Sequence, residues 1–522
     1  AKCRRRGQNK HRDSGRLDDD VRICNDVLLG RECSKGPKCS MEHDLHVYLA
    51  SKGEDLGPRC QLFDVYGYCK FSYKCRYARA HTGPDGKMIT DEAKVAEVGR
   101  GAHLLAPTVT RDFQKSVRNK TLPLPKSELY EAFLDIAKAE REKQAEAKKK
   151  EAEEVAAEAE AKRVLLAEQP KKPKLDWKGK TYLAPLTTVG NLPFRRICKE
   201  FGVDITCGEM AMCSNLISGQ QHEWALTRRH HTEDIFGIQI AGSHPSQVVR
   251  TCEAISLNDQ LSIDFVDLNL GCPVDSINSI GAGSALLERK AKLYDICAGA
   301  NYALKCPLTV KMRMGIFDGK NTAHKLIPLF KEIGVSAITL HGRSKQQRYT
   351  KRADWSYIER CAEIAAGEDI AFFGNGDCLS HEEYMQRLET ANVSGIMIGR
   401  GALIKPWIFK EIKDRQVYDI RSGERLDMLK RFVNYGLEHW GTDTVGVNQT
   451  RRYLCEWMSF LYRYVPVGLL EVLPQRMNDR PLPYYGRDDL ETLMGSPNAA
   501  DWIKLTELLL GPAPENFKFT PK

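Results

Sequence analysis

The stretch Asn269-Leu270-Gly271-Cys272-Pro273 puts a thiol on a tight turn after a run of apolar residues broken by acids, Asp264-Phe265-Val266-Asp267-Leu268. A thiol with an ordinary pKa of about 8.5 is mostly protonated at neutral pH, so it can donate a proton as well as attack an electrophile. Taken alone, Cys272 reads equally well as a small buried hydrophobe.

Six of the seventeen cysteines have metal-ligand spacing. Cys24, Cys33, Cys39 and His43 follow C-x8-C-x5-C-x3-H, and three thiolates with one imidazole suit a closed tetrahedral zinc site. Cys60, Cys69 and Cys75 repeat the first two intervals, but Arg79 stands where the histidine is due and His81 comes two residues later. Arg79 cannot bind zinc, so His81 is expected as the fourth ligand. Metal binding in an intracellular protein fits this cysteine usage better than a disulfide scaffold. The pattern resembles CCCH zinc fingers, which usually bind RNA. Tyr66, Tyr68, Phe71, Tyr73 and Tyr77 lie among Lys70, Lys74, Arg76 and Arg79, a mixture that serves base stacking and phosphate contact or packs the finger's own core.

A third group of residues ends successive β-like runs. It comprises Ala184-Pro185-Leu186-Thr187, Gln239, Asn269 with Cys272, Lys311 with Arg313, His341-Gly342-Arg343, Gly374-Asn375-Gly376-Asp377 and Gly399-Arg400-Gly401. Packing alone gives core strands no reason to end repeatedly in polar residues and glycine. Lys311 can stabilise negative charge on a reduced ring, and Gln239 offers a donor and an acceptor to the edge of one. The last two glycine-bearing ends suit a phosphate. Flavin mononucleotide (FMN) meets both demands with one phosphate, and a nicotinamide cofactor can then come and go without a dinucleotide-binding domain.

The elements that must hold these residues are eight expected strands at 181–185, 204–207, 236–240, 264–268, 308–312, 336–340, 370–373 and 395–398, with helical patterns such as 321–333 and 381–390 between them. Eight strand–helix units over about 240 residues match a (β/α)8 TIM barrel, an α/β fold whose active sites lie at the carboxyl ends of the strands. The usual dinucleotide fingerprint of a doubly wound sheet is missing. The domain plan is a Cys-rich region at 1–100, a linker with a charged helix at 101–177, the barrel at 178–415 and a helical domain at 416–522. Within the linker, Ser127–Gln169 is rich in Ala, Glu and Lys and reads as an exposed helical spacer. Residues 1–126 carry 25 Lys and Arg against 16 Asp and Glu, which accounts for the whole net charge of +9 and suits a polyanionic partner. No apolar run is long enough to cross a membrane. No signal segment follows residue 1, which is not Met, so a processed or truncated chain is expected.

Six motifs in order, LAPLTTVGNLPFRR (183–196), NLGCP (269–273), VKMRMG (310–315), HGRSKQQRYT (341–350), FGNGD (373–377) and IGRGAL (398–403), resemble the tRNA-dihydrouridine synthases over about 178–510. The two fingers ahead of the barrel resemble the eukaryotic subfamily named for dihydrouridine at tRNA position 47. The resemblance implies that NADPH reduces FMN, that hydride passes to C6 of a flipped-out uracil, and that Cys272 protonates C5. It also implies that Asn269 and Arg313 hold the uracil and that Lys311 serves flavin and substrate together. His341, Asn375, Gly376, Asp377, Gly399 and Arg400 would then hold the phosphate and ribityl chain, and Pro185, Leu186, Thr187 and Gln239 the isoalloxazine. The fingers and the arginines of the helical tail (Arg451, Arg452, Arg463) would bind tRNA. Two rival readings are an FMN oxidoreductase for small pyrimidines and a non-catalytic RNA-binding zinc-finger protein. A monomer is expected, in the cytoplasm, with nuclear import left open by the short basic runs Arg4-Arg5-Arg6 and Lys171-Lys172-Pro173-Lys174.

Overall fold

The computed structural model describes residues 17–99, 109–146, 172–349, 351–367, 370–470, 478 and 480–521. Eight strands close into a parallel barrel: β1 (Tyr182–Leu183), β2 (Ile205–Cys207), β3 (Ile235–Ala241), β4 (Phe265–Leu270), β5 (Leu308–Arg313), β6 (Ala337–His341), β7 (Ala371–Asn375) and β8 (Gly395–Ile398). β1 pairs with both β2 and β8, which completes the ring. A two-residue strand, Ala211–Met212, extends the pairing at the end of β3. All eight expected strands are present. β1 stops short of 185 because Pro185 has no N–H to give to a ladder. β4 runs on to Leu270, so Asn269 is a strand residue.

The barrel interior divides in two. Its amino end is filled by Tyr182, Ile205, Phe265, Phe373 and Met397, with Trp177 closing it from below. The Trp177 ring meets Phe265 and Phe373 edge-on, with centroids 5.5 and 6.1 Å apart. The carboxyl end is polar. Register sets Asn269 beside Lys311, Arg313 beside His341, and His341 beside Asn375. Outside the strands, helices form the covering layer. His381–Thr390 coincides with the expected helix, whereas 321–333 is broken into a 3-10 turn and Ile327–Ile333 by Pro328 near the helix start.

Helix α1 (Pro125–Glu146) lies within the linker. Its first turns are anchored, contrary to the reading of an exposed spacer. Glu253 of α2 (Pro245–Leu257) accepts from the Lys126 and Ser127 amides at 2.9 and 2.7 Å and from the Ser127 hydroxyl at 2.5 Å. Tyr130 donates to the Asp295 carbonyl of α3 (Lys290–Ala303) at 2.7 Å, and Arg250 pairs with Glu131 at 2.6 Å. The remainder of the expected spacer, 147–169, lies outside the described residues. Because Glu253 is buried, Glu253→Ala strands the Ser127 donors; the expected cost is about 2–3 kcal/mol, read as a lower unfolding midpoint and faster proteolysis near residue 125.

Beyond the barrel, α4 (Ser422–Trp440) and α5 (Thr444–Leu461) form an antiparallel hairpin, and α6 (Ala499–Leu510) packs against α5. Trp457 lies between Phe194 and Phe432 and donates to the Leu403 carbonyl at 3.0 Å, so this helical region shares a continuous core with the barrel. Arg451, expected to face RNA, is instead buried: it donates to Thr506 Oγ1 at 2.7 Å and to the Gly511 carbonyl at 2.8 Å. Among the described residues no helix is long and apolar enough to cross a membrane.

Candidate active site and metal centres

A cavity of about 830 Å³ opens at the carboxyl end of the barrel. All fourteen residues expected there line it: Pro185, Leu186, Thr187, Gln239, Asn269, Cys272, Lys311, Arg313, His341, Asn375, Gly376, Asp377, Gly399 and Arg400. They come from seven strand ends, which is why no local stretch of sequence contains the site.

One side of the cavity is a ladder of hydrogen bonds between neighbouring strands. Thr309 donates to Asp267 at 2.7 Å, Gln239 Nε2 donates to the other Asp267 oxygen at 2.7 Å, and Asn269 Nδ2 donates to Gln239 Oε1 at 2.8 Å. Asn269 Oδ1 then accepts the backbone N–H groups of Gly271 and Cys272 at 3.1 and 2.9 Å, which pins the thiol-bearing turn. Gln239 is therefore less available to a ligand than its type suggested: its acceptor oxygen already serves Asn269. Arg313 braces the same turn, donating from Nε to the Gly271 carbonyl at 2.8 Å and from Nη1 to the Ser344 carbonyl at 3.0 Å.

Burial pushes the Cys272 thiol up, only partly offset by the Val274 amide and by Arg313 and Lys311, so the thiol holds its proton at neutral pH. Lys311 is pushed down to about 8, first by burial and then by Arg313. It donates to Asn375 Oδ1 at 3.5 Å. His341 Nδ1 shares that oxygen at 2.9 Å, and burial beside Arg313, Lys311 and Arg343 keeps the ring neutral. Nε2 of His341 is buried and has no partner among the described residues.

At the opposite side Asp377, with φ +49°, holds two guanidinium groups: Arg343 at 2.6 and 2.8 Å and Arg400 at 3.0 Å. Its carboxylate thus orients cations more than it meets a ligand. Arg343 is fully buried, and its Nη1 has no partner among the described residues. Gly376 has φ +139°, and a Cβ there would lie 2.5 Å from the Ala353 methyl. Tyr349 covers this side, 4.6 Å from Arg400 and 5.5 Å from Arg313. A surplus of arginine and lysine over carboxylate fits an anionic group, and the orphaned imidazole acceptor fits a hydroxyl beside it; FMN carries both. Arg343 was expected only as part of a strand end, and Tyr349 and Asp267 were not expected at the site. Arg343 and Tyr349 lie within the motif HGRSKQQRYT, which was the available signal.

The two metal centres assemble as the spacing requires. In each set, Cys24, Cys33, Cys39, His43 and Cys60, Cys69, Cys75, His81, the ligand atoms lie within 4.8 Å of one another. Sulfur pairs 3.6 Å apart (Cys24 with Cys33, Cys60 with Cys75) match a tetrahedron of Zn–S bonds, whose edge is about 3.8 Å. His81, rather than exposed Arg79, reaches the second set, and its buried Nε2 has no protein partner among the described residues. These donors fit Zn²⁺. His81→Ala is expected to halve the bound zinc, from two per chain to one, by metal analysis.

The second finger is docked on the α4–α5 turn. Arg76 N donates to the Thr442 carbonyl at 2.8 Å, Cys69 Sγ is 3.4 Å from Thr442 Oγ1, and Gln61 donates to Glu438 at 3.0 Å. A Cβ on Gly441, with φ +119°, would lie 2.4 Å from the Phe71 ring. Tyr66 and Tyr77 are buried. Of the two roles left open for the five rings, Tyr66, Phe71 and Tyr77 take packing; sequence cannot say which side of a finger meets its own protein.

A closed parallel barrel with a pinned thiol, a neutral imidazole and a cluster of cations at its carboxyl mouth is the layout of a barrel enzyme that grips an anionic ligand. Residues 182–456 match the family described as Dihydrouridine synthase (Dus). The chain is 46% identical over 536 residues to a Xenopus laevis protein named tRNA-dihydrouridine(47) synthase [NAD(P)(+)]-like, an alignment covering 100% of this chain and 83% of that one. It is 45% identical over 548 residues to a Homo sapiens protein of the same name, covering 99% and 83%. It is 44% identical over 600 residues to tRNA-dihydrouridine(47) synthase [NAD(P)(+)] of Coprinopsis cinerea, covering 99% and 89%. The chain belongs to the dihydrouridine synthase family, and is an oxidoreductase of that family.

Proposed function

We propose that this protein reduces the C5–C6 double bond of uridine 47 in tRNA, with FMN as resident cofactor and NADPH as the source of electrons. The observation that carries the reading is a protonated thiol on a turn fixed by Asn269 and Arg313, beside Lys311, in a chain of the dihydrouridine synthase family. The names of its relatives supply the tRNA and the position.

FMN reduced by NADPH supplies hydride to C6 when bound. Pro185, Leu186, Thr187, Gln239 and Lys311 would hold its ring, and His341, Asn375, Gly376, Gly399 and Arg400 the phosphate and ribityl chain, with Asp377 aligning Arg400. The chain's own residues do the rest. Hydride at C6 leaves negative charge shared between C5 and O4 of the uracil, and Lys311 and Arg313 are the cations beside the thiol that can offset it. Cys272 Sγ gives its proton to C5 and regains one from water. Asn269 fixes the thiol's position through the Cys272 amide and retains one N–H for the base. Taking the base out of its stack costs a few kcal/mol, which calls for RNA contacts outside the cavity.

The test is dihydrouridine mapping on unmodified tRNA incubated with the flavin-loaded protein and NADPH. One new dihydrouridine at position 47 is expected. A flavin-loaded chain that oxidises NADPH but leaves every uridine intact overturns the proposal.

A further inference from the structure

Asp267 sits where the apolar filling of the barrel ends and the polar mouth begins. Side chains alternate along β4, so Phe265, Asp267 and Asn269 share one face in ascending order, from the apolar floor to the cavity. Asp267 is buried and does not itself line the cavity. Register sets Gln239 of β3 on one side of it and Thr309 of β5 on the other. Keeping a carboxylate out of water is costly, and an amide or an aliphatic chain of the same size would cost less.

The hydrogen-bond ladder that starts at Asp267 is chemically one-way at both ends. A carboxylate only accepts, and the backbone N–H groups of Gly271 and Cys272 only donate. Between them stand two carboxamides, Gln239 and Asn269, each able to turn over and exchange its oxygen for its NH2. Asp267 takes Nε2 of Gln239 at 2.7 Å, which leaves Oε1 for Asn269 Nδ2 at 2.8 Å. Asn269 Oδ1 is then the atom left for the Cys272 and Gly271 amides, at 2.9 and 3.1 Å. Thr309 holds the second Asp267 oxygen at 2.7 Å and so stops the carboxylate from swinging away. An amide at position 267 could face Gln239 with either end; the carboxylate removes that choice.

We infer that Asp267 is a positioning residue for the reaction: through Gln239 and Asn269 it sets the direction of the hydrogen bonds that fix the Cys272 turn. The inference rests on Cys272 as the acid, as argued above. It gives a reason for a dry carboxylate at a place where it touches nothing that reacts.

The test exchanges the partners. In Gln239→Glu two carboxylates face each other, and the ladder closes only while the pair holds a proton. Closure is therefore lost as pH rises through the raised pKa that such a pair shares. Adding Asp267→Asn restores a donor and an acceptor, with the new amide donating and the new carboxylate accepting from Asn269, and that proton is no longer needed. The other titratable groups acting on Asp267 are Lys311 of β5, Cys207 of β2 and Tyr182 of β1. They are present in both variants, so the difference between the two profiles carries the result.

The readout is hydrogen exchange of the Gly271 and Cys272 amides in the flavin-free full chain, relative to wild type at each pH from about 6 to 8.5, with uridine reduction by the flavin-loaded chain beside it. At the upper end Gln239→Glu is expected to lose about tenfold in protection at these two amides, and the double variant to stay within about threefold of wild type. Protection elsewhere in the barrel should not change, as it would for a general loss of stability. Identical pH profiles for the two variants, or a loss spread evenly over the strands, overturns the inference. Should Gln239→Glu not fold, Asp267→Leu decides: it is expected to lose the same two protections and about tenfold in kcat with KM for tRNA unchanged, while Asp267→Asn stays within about threefold. An Asp267→Leu chain with wild-type protection and rate overturns the inference. Exchange that follows the ladder in a chain that leaves tRNA uridines intact upholds the positioning of the turn and overturns only the reading of the reaction.

Discussion

Cys272→Ala is expected to slow uridine reduction by about 10²–10⁴-fold, the usual worth of a positioned general acid, while flavin content, NADPH oxidation and tRNA affinity change little. The split follows from the geometry. The turn is held through backbone atoms, by Asn269 on the Gly271 and Cys272 amides and by Arg313 on the Gly271 carbonyl, so removing Sγ leaves its frame intact. Sign matters for the pH profile. The thiol pKa is raised by burial, so the acid form persists through neutral pH and the wild-type rate falls only as pH climbs through that raised value. The alanine variant should lose this alkaline limb. Wild-type turnover in Cys272→Ala would remove the thiol from the mechanism.

Lys311→Met is expected to trade function for stability. The Lys311 ammonium is held down to about 8 by burial, against about 10.5 in an unfolded chain. Between those values the unfolded chain binds a proton that the folded chain has released, so stability rises with pH across that window and the full penalty is present below it. The penalty is at most about 3 kcal/mol, reduced by whatever water the open cavity brings to the ammonium. Methionine keeps the volume and removes the charge. The flavin-free variant should therefore unfold at a higher temperature than the flavin-free wild type at pH 7, and its stability should lose the rise between about pH 8 and 10.5. Flavin occupancy should fall in the same variant, because a cation facing an electron-rich ring is gone. A variant that is no more stable, yet keeps its flavin, would show that the ammonium is neither strained nor used.

Much of the barrel was readable because each strand carries its own apolar run between turn residues; 395–398 coincides residue for residue with β8. The site was readable for the same reason, since polar residues at strand ends are anomalous wherever they fall. What sequence does not carry is the lateral register of a closed barrel. That register sets Gln239 against Asp267 and Asn269, and so spends on neighbours the hydrogen bonds expected for a ligand. Arg343 and Asp377 are 34 residues apart, and nothing local joins them. Arg451 and Arg452 are adjacent and identical in type. The first is buried against α6 and the segment that follows it, and a linear reading cannot know it.

The docking of the second finger has a consequence for synthesis. Cys69 meets Thr442 across 373 residues of chain, and Arg76 meets Thr444 across 368. At about 5–20 residues per second, a ribosome needs roughly 20–75 s to bridge that interval. Throughout it the finger has been made and its seat has not, so Phe71 faces the cytosol of the translating cell. Until the α4–α5 turn emerges the finger must hold its shape by its own contacts, with the ring that later seats on Gly441 uncovered.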